Sequence, residues 1–304
     1  MKILFLCNKD YWMHKMSRVR FHGIDAIARH PEVSLVKDGP GFDGFTDCVS
    51  SENKHKPDIV VWYKPMGMPR YNEVKALKCL RFNEMWWVDI AADEINKTKT
   101  DIIISHQEND IKNFKGKCPK AKFYHIPHCI EKTIFKDYNL PKEYDVIFVG
   151  INSPTIYPLR GKFYNILQNS NLKYKTKIIE HPGYSIDDVD KQVIEYAKTL
   201  NKAKIVVSCS SKYQYLLAKY TEIVACKSLL LADVPDQSKP FIRKFIAEVD
   251  PNDSEAVLMN KIGWWIENEK ERIRRVELGY SLIHSGYTQE HYAQNFINVV
   301  KKYL

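Results

Sequence analysis

A glutamate close to the end of a predicted helix is the first candidate for chemistry. Glu222 lies in the segment CSSKYQYLLAKYTEIVACKSLLLAD (209–233), where we predict a helix over 215–226 and a buried strand directly after it. A carboxylate in the last turns of a helix opposes the helix dipole and is slightly unfavourable there. That cost favours a functional role for Glu222, with a solvated surface glutamate as the alternative.

Two basic residues follow a predicted strand in the segment YDVIFVGINSPTIYPLRGKF (144–163). Val149 and Gly150 end that strand, and Arg160 and Lys162 stand at the start of the next predicted helix. Backbone N–H groups and the positive end of the dipole make such a terminus a site for anions. An arginine there could hold an anion through two parallel hydrogen bonds. The alternative is that both side chains are solvated on an amphipathic helix.

Polar residues after other predicted strands are further candidates. The run DIIIS (101–105) ends directly before His106, and open α/β sheets bind ligands at the carboxyl ends of their strands. His106 is therefore a candidate site residue, with a surface loop position as the alternative. Asn83, Glu84 and the loop over 181–183 are candidates for the same reason.

Two spacings typical of metal sites are present in weak form. His125 and His128 form HxxH, but Pro127 lies between them and no carboxylates complete the set. Asp188 and Asp190 form DxD at the start of a predicted helix, where acidic residues are favoured by the dipole. We therefore expect no metal and no cofactor.

The elements that position these residues follow from hydrophobic patterning. Short runs rich in Val and Ile are almost continuously apolar, which is typical of strands covered on both faces of a parallel sheet. They cover 2–7, 58–63, 101–105, 122–126, 145–150, 177–180, 204–209 and 228–233. Helical patterns between and after them cover 17–29, 108–114, 159–169, 187–200, 215–226 and 254–276. This alternation predicts an α/β protein with doubly wound parallel sheets.

The polar segment EKTIFKDYNLPKE (131–143) is the predicted boundary between two domains, because a fresh strand follows it. We expect a Rossmann-like domain over 1–135 and a second over 144–285, facing each other across a cleft. The final segment, 286–304, is predicted to be a helix with Thr288 as its N-cap, packing back on the first domain.

Three segments resemble glycosyltransferase group 1. Residues 220–226, YTEIVAC, before an apolar strand resemble the family's F-E-A-L-A-C-G pattern, with Lys227 where the family usually has glycine. The closest branch is that of the spore-maturation glycosyltransferase-like proteins. Residues 144–163 are similar to the strand, loop and basic helix that open the family's second domain. The segment FYHIPHCIEKTIF (123–135) is similar to its interdomain P-x-G/A-V-D-x-x-x-F segment.

The resemblance implies a GT-B fold and transfer of a hexosyl or related sugar from a nucleotide-diphosphate sugar, with retention of configuration and without a metal. It places the donor domain at 144–285 and the acceptor side at 1–135. It implies that Glu222 holds the ribose, while Arg160 and Lys162, beside Gly150, hold the diphosphate. His106 would face the donor sugar or the acceptor.

The resemblance also singles out Gln214. The family pairs two glutamates separated by seven residues; the second matches Glu222, and Gln214 occupies the position of the first. An amide can position sugar hydroxyls, but it cannot stabilise positive charge as a carboxylate does or transfer a proton. We favour an active transferase in which this position orients the sugar, and a slow or inactive protein is the alternative.

Composition excludes several classes of protein. The chain has 304 residues, 44% hydrophobic and 27% charged, which argues against disorder. The net charge of +9 comes mainly from lysine, which favours mild attraction to a nucleotide or an acidic membrane surface over dedicated nucleic-acid binding. The seven cysteines include no CxxC pair, and the apolar start MKILFLC is too short for a signal peptide. We expect a cytoplasmic protein with reduced thiols.

Other interpretations stay open at this point. A non-catalytic nucleotide- or sugar-binding protein and a sugar-nucleotide epimerase would both share a Rossmann-like architecture. Trp86 and Trp87 are predicted to be packing residues, with the lining of an acceptor site as the alternative. The donor sugar, its base, the acceptor and the oligomeric state do not follow from the sequence.

Overall fold

The computed structural model describes residues 1–14, 21–63, 68–82, 85–168, 172–180 and 188–304. They form two compact units. The first consists mainly of the described residues of Met1–Pro127 together with Gln289–Leu304, and the second of those of His128–Gly183 and Asp190–Thr288. Each unit has its own sheet and its own apolar core.

The first unit contains a parallel sheet of six strands in the order β2-β1-β3-β4-β5-β6. The strands are β1 (Lys2–Leu6), β2 (Ser34–Asp38), β3 (Ile59–Trp62), β4 (Leu77–Phe82), β5 (Ile102–Ser105) and β6 (Lys122–His125). The helices between them are α1 (Lys9–His14), α2 (His22–Ala28), α3 (Cys48–His55), α4 (Val88–Thr98) and α5 (Glu108–Asn113). All residues of β3 and β5 are buried, as expected for central strands covered by helices on both faces.

The second unit contains a parallel sheet of five strands in the order β11-β10-β9-β7-β8. The strands are β7 (Tyr144–Val149), β8 (Thr176–Ile179), β9 (Ala203–Val207), β10 (Leu229–Ala232) and β11 (Ala247–Glu248). The helices are α6 (Pro158–Gln168), α7 (Val189–Asn201), α8 (Lys219–Ala225), α9 (Lys239–Ile242), α10 (Glu255–Glu267) and α11 (Glu269–Gly286). The last helix of the chain, α12 (Gln289–Val300), belongs to the first unit.

Helix α12 packs on α2 through an apolar face. Tyr292, Phe296 and Val300 are buried on that face. The Tyr292 ring lies so close to Gly23 that a Cβ atom on this glycine would meet ring carbon Cδ1 at 2.9 Å. A glycine in α2 therefore allows the close approach of the two helices.

Each sheet has a switch point between two neighbouring strands. On one side of this point the next strands of the chain are added in one direction across the sheet, and on the other side they are added in the opposite direction. In the second unit this point lies between β7 and β9, because β8 lies on one side of β7 and β10 follows β9 on the other. Ligands of open α/β sheets bind outside the carboxyl ends of the strands at such a point. The segments that begin at Gly150 and Ser208 are therefore the expected ligand-binding segments of this unit.

The predicted fold class is confirmed, and some elements differ from the prediction. The predicted helix over 254–276 is two helices, because Asn268 has the non-helical angles φ −90° and ψ 61°. Strand β2 was not predicted because its burial alternates along an edge of the sheet, so that it lacks a continuous apolar run. Among the described residues, no helix is long and apolar enough to cross a membrane.

Candidate functional site

Gly150, directly after β7, is the point around which the candidate site is built. Its φ of +114° lies in the region that favours glycine, and its N–H donates to the Ile179 carbonyl of the neighbouring strand at 3.0 Å. A Cβ atom here would meet Arg160 Nη1 at 3.0 Å and Lys219 Cε at 3.1 Å. Two cationic side chains from different helices therefore converge on this glycine.

Arg160 lies in the first turn of α6, which begins at Pro158 as helices often do. Its side chain is buried, and the guanidinium carbon lies 3.9 Å from the centroid of the Tyr157 ring, in cation–π geometry. The Nε atom of Arg160 is buried without a hydrogen-bond partner among the described residues. This guanidinium is held in place by packing and keeps hydrogen-bonding capacity.

Lys219 is the first residue of α8 and is half-buried. Its ammonium lies 5.4 Å from the centroid of the Tyr196 ring. Burial lowers the pKa of Lys219, Glu222 acts in the opposite direction, and Arg160 adds to the lowering. Within the described parts of the chain, no carboxylate lies at salt-bridge distance from Lys219 or Arg160.

Glu222 follows Lys219 by three residues, so both lie on one side of α8. Burial raises the pKa of Glu222, and the charge of Lys219 lowers it. The prediction that Glu222 opposes the helix dipole is wrong, because α8 begins only at Lys219 and Glu222 lies in its first turn. An acid is favoured by the dipole there, and the cost at this site is desolvation instead.

Asp233, directly after β10, holds the loop that precedes α8. The buried carboxylate accepts hydrogen bonds from Ser210 N at 2.8 Å and from Ser210 Oγ at 2.5 Å. The Tyr220 hydroxyl donates to the Asp233 carbonyl at 2.6 Å. Because Tyr220 adjoins Lys219, this network positions the first turn of α8.

Cys209 adjoins Arg160 but does not provide a nucleophile. Burial raises the pKa of this thiol to about 12, although the Arg160 guanidinium acts in the opposite direction. The thiol is therefore protonated near neutral pH, and the thiolate is the reactive form. Cys209 therefore supplies no thiolate nucleophile beside Arg160.

Gln214 lies in the loop between β9 and α8 with a left-handed φ of +56°, and its N–H donates to the Ser211 carbonyl at 2.9 Å. Its side chain is exposed and lines a cleft of about 360 Å³ together with Asp233 and Lys261. Arg160, Lys219 and Glu222 are not among the residues that line this cleft. The structure therefore places Gln214 in the same unit as Arg160 and Lys219, but in a cleft that neither of them lines.

The structure does not place the Lys162 ammonium beside Arg160 and Lys219. Its ammonium donates to the carbonyls of Pro251 and Asp253, both at 2.8 Å, and so ties α6 to the loop after β11. Residues two apart on a helix face different sides, which is why Arg160 and Lys162 separate. Binding of a diphosphate by Lys162 stays a prediction, and the contacts of this lysine do not favour it.

His106 belongs to the first unit, where it follows β5 and is buried. Its Nδ1 atom donates to the Ile126 carbonyl at 2.8 Å, and its Nε2 atom lies 3.4 Å from Arg81 Nη2. A carbonyl only accepts, so the proton is assigned to Nδ1. A role of His106 toward a sugar or an acceptor stays a prediction.

Some sequence candidates cannot be located. Asn83, Glu84 and the loop over 181–183 lie outside the described residues. Trp87 is located and is 66% exposed, so the prediction that it is a packing residue is wrong. Within the described residues, no cluster of three or more His, Cys, Asp or Glu side chains could hold a metal ion.

Lys219 is a candidate site residue that sequence reasoning missed. The predicted helix over 215–226 placed Lys219 inside a helix, where a lysine on an amphipathic surface is ordinary. Its position three residues before Glu222 was the available indication, because that spacing puts both side chains on one helix face. The proximity of Lys219 to Gly150 depends on tertiary structure and has no sequence pattern.

Comparison with known proteins finds one matching family model and several similar structures. Residues 173–298 match the family model described as "Glycosyl transferase-like", and no curated protein sequence matches the chain. The structure is similar to sucrose-phosphate synthase from Thermosynechococcus elongatus, with a TM-score of 0.67 and 10% identity over 99% of this chain and 98% of that one. It is also similar to a glycosyltransferase from Rickettsia africae ESF-5, with a TM-score of 0.63 and 14% identity over 99% and 98%.

A third similar structure is that of Anabaena Alr3699/HepE in complex with UDP and glucose. The TM-score is 0.63 and the identity 10%, over 99% of this chain and 100% of that one. Identities this low establish the fold alone. The chain thus has the fold of the GT-B glycosyltransferases, two Rossmann-like units with parallel sheets, and residues 173–298 match a glycosyl transferase-like family model.

Proposed function

We propose that the protein transfers a sugar from a nucleotide-diphosphate sugar, and that Arg160 and Lys219 bind the diphosphate. The observation that carries the proposal is the convergence of both cations on Gly150 with no carboxylate at salt-bridge distance in the described chain. Burial of a charge is costly unless the charge is paired. A ligand with at least two negative charges would pair both cations at once, and a diphosphate has that charge and size.

Both cations would also assist the reaction. Negative charge develops on the diphosphate as the bond to the sugar breaks, and cations fixed in advance stabilise that charge. Arg160 would donate parallel hydrogen bonds from its planar guanidinium group, whereas Lys219 would act as a compact positive charge. With these two cations in place, we propose that transfer needs no metal. Retention of configuration is the outcome that the resemblance to glycosyltransferase group 1 implies, and it belongs to the same proposal.

We propose that Glu222 binds the ribose. Its carboxylate has no hydrogen-bond partner within the described residues and lies on the Lys219 side of α8. A carboxylate only accepts, and two neighbouring ribose hydroxyls can donate to it together. The nucleotide-sugar partner is further supported by the UDP-bound proteins of similar fold, among them the UDP and glucose complex of Anabaena Alr3699/HepE.

Glu222→Gln is expected to weaken binding of UDP by about tenfold or more, because charge-assisted hydrogen bonds contribute roughly 1.5–3 kcal/mol. Binding would be measured by calorimetry with UDP, uridine and 2′-deoxy-UDP. The loss should be equal for UDP and uridine and smaller for the deoxy compound, which lacks one of the two hydroxyls. Equal losses for all three ligands would exclude Glu222 from the ribose site.

Substitutions of Gln214 test whether sugar transfer depends on an amide side chain at this position. If Gln214 orients the sugar, Gln214→Ala should lower turnover about tenfold and Gln214→Glu should not raise it, because an amide already positions hydroxyls. If the protein is slow for lack of a carboxylate, Gln214→Glu should raise turnover. Turnover would be followed as released nucleoside diphosphate. Identical rates for the three proteins would place Gln214, and the cleft that it lines, outside the reaction.

A panel of nucleotide sugars distinguishes the proposed function from its alternatives. Release of free nucleoside diphosphate that is slow alone and accelerated by an acceptor would support a transferase. Binding without release would indicate a non-catalytic protein of the same fold. Conversion of one nucleotide sugar into another without release would indicate an epimerase. Thermal stabilisation by each donor, measured first, selects the donors for this assay.

A further inference from the structure

Lys219 and Glu222 carry opposite charges and lie three residues apart on α8, but they do not pair. Charged residues at this spacing are neighbours on a helix and commonly form an ion pair. Both belong to the described part of the chain, and neither a hydrogen bond nor a salt bridge joins them there. Each charge still shifts the pKa of the other group. A different contact therefore holds the Lys219 ammonium away from the carboxylate.

The Lys219 ammonium lies over the ring of Tyr196, which belongs to α7. Its Nζ atom is 5.4 Å from the ring centroid, within the range of a cation–π interaction. Carbon Cε of the same side chain lies beside Gly150, where a Cβ atom would meet it at 3.1 Å. The lysine side chain is thus directed by two contacts, one at the end of β7 and one on α7, and neither contact brings a carboxylate to the ammonium.

Tyr196 is itself held by packing. Its ring meets the buried Phe135 ring edge to face, with 6.3 Å between centroids and an angle of 81°. The Tyr196 hydroxyl oxygen is buried without a hydrogen-bond partner among the described residues. Burial raises the pKa of this hydroxyl, Glu222 adds to the rise and Arg160 opposes it. The hydroxyl therefore stays protonated, and the ring makes the contact with Lys219.

We propose that Tyr196 is a positioning residue that keeps Lys219 from pairing with Glu222. Because the ammonium rests on the ring, the cation stays available to a diphosphate and the carboxylate stays available to ribose hydroxyls. Without the ring, the flexible lysine would turn toward Glu222 on its own side of α8, and the two charges would neutralise each other. This role deepens the proposed function and rests on it for the identity of the ligands. The arrangement of the three side chains can be tested without any ligand.

Titration of Glu222 by carbon-13 NMR tests the arrangement in the full chain, with Glu222→Gln used to assign the signal. Burial raises the pKa of this carboxyl in the wild-type protein. In Tyr196→Leu the ammonium should pair with the carboxylate, and an opposite charge in contact favours the charged form. The pKa of Glu222 should therefore fall below its wild-type value. Tyr196→Phe keeps the ring and loses only an unpartnered hydroxyl, so the pKa of Glu222 should not change.

Binding of inorganic pyrophosphate, measured by calorimetry, tests the consequence for a ligand. Pyrophosphate has the charges of the diphosphate but no ribose, so Glu222 would not contact it. Tyr196→Leu should weaken pyrophosphate binding about tenfold, because a charge-assisted contact with Lys219 is lost. Tyr196→Leu combined with Glu222→Gln should restore most of the affinity, because Lys219 then has no carboxylate to pair with. A simple loss of packing would not be rescued by a change at Glu222.

Tyr144 on β7 provides the matched control. Its ring centroid lies 5.3 Å from both Lys175 Nζ and Lys177 Nζ in the same unit. Tyr144→Leu should change neither the pKa of Glu222 nor the affinity for pyrophosphate. Tyr196→Met is a second variant without a ring, and leucine and methionine both favour helices. Circular dichroism and thermal melting would verify the folding of every variant.

Two results would overturn this role of Tyr196. One is a pKa of Glu222 that does not fall in folded Tyr196→Leu or Tyr196→Met. The other is a loss of pyrophosphate affinity in these variants that Glu222→Gln does not reverse. A fall in the pKa of Glu222 with unchanged pyrophosphate binding would support the positioning of Lys219 by Tyr196, and would instead overturn the proposed contact of Lys219 with the diphosphate.

Discussion

Arg160→Ala is expected to weaken binding of UDP by about 10- to 100-fold and to leave binding of uridine almost unchanged. The guanidinium would donate charge-assisted hydrogen bonds to the diphosphate, each of which contributes roughly 1.5–3 kcal/mol. Uridine lacks the diphosphate and would not contact this side chain. Calorimetry with the two ligands measures the difference directly.

The controls separate charge, geometry and folding. Arg160→Lys keeps the charge but loses the planar fork, so affinity for UDP should lie between those of the wild-type and alanine proteins. Lys204→Ala, which removes a lysine paired with Asp145 at 2.7 Å in the same unit, should not change UDP binding. If Arg160→Ala weakens the binding of UDP and uridine equally, the diphosphate does not lie against Arg160.

Lys219→Met is expected to weaken UDP binding, because it removes the second positive charge that we propose to contact the diphosphate. If both cations bind one diphosphate, the double variant Arg160→Ala with Lys219→Met should lose less affinity than the sum of the two single losses. Neighbouring residues that share a partner are commonly non-additive in this way. Additive losses would indicate that the cations bind separate ligands.

Continuous apolar runs made the central strands predictable. The runs over 58–63, 101–105 and 204–209 correspond to β3, β5 and β9. Strands that are buried on both faces consist almost entirely of apolar residues, so the sequence shows them directly. Edge strand β2 and helix α4 were not predicted because only part of each is buried. Their exposed positions hold polar residues, so neither has a continuous apolar run.

The candidate site was predictable only where local structure determines it. Arg160 follows from a strand, a loop and a helix start that are contiguous in sequence. Lys219 and the true start of α8 depend on Asp233, which accepts hydrogen bonds from the preceding loop over a separation of 23 residues. The dipole argument for Glu222 failed for the same reason, because a helix boundary set by tertiary contacts has no local indication.

Gly150→Ala is expected to weaken UDP binding by about tenfold or more while the protein remains folded. The φ of +114° costs an alanine roughly 1–3 kcal/mol of stability. The new Cβ atom would meet Arg160 Nη1 at 3.0 Å and Lys219 Cε at 3.1 Å. Both atoms belong to the outer parts of long side chains, so they can move aside. The crowding would thus shift the two cations by a few tenths of an ångström from the positions in which they converge.

Gly116→Ala is the matched control for this change. Gly116 has a φ of +82° and no atom within 4 Å of the position of a Cβ, so an alanine there adds backbone strain without crowding. Thermal melting should therefore show a loss of stability in both variants, and calorimetry should show weaker UDP binding only in Gly150→Ala. Addition of Arg160→Ala to Gly150→Ala should cause a smaller further loss than Arg160→Ala causes in the wild-type protein, because the guanidinium is already shifted. A folded Gly150→Ala protein that binds UDP with wild-type affinity would show that the diphosphate does not depend on the convergence of Arg160 and Lys219 at this glycine.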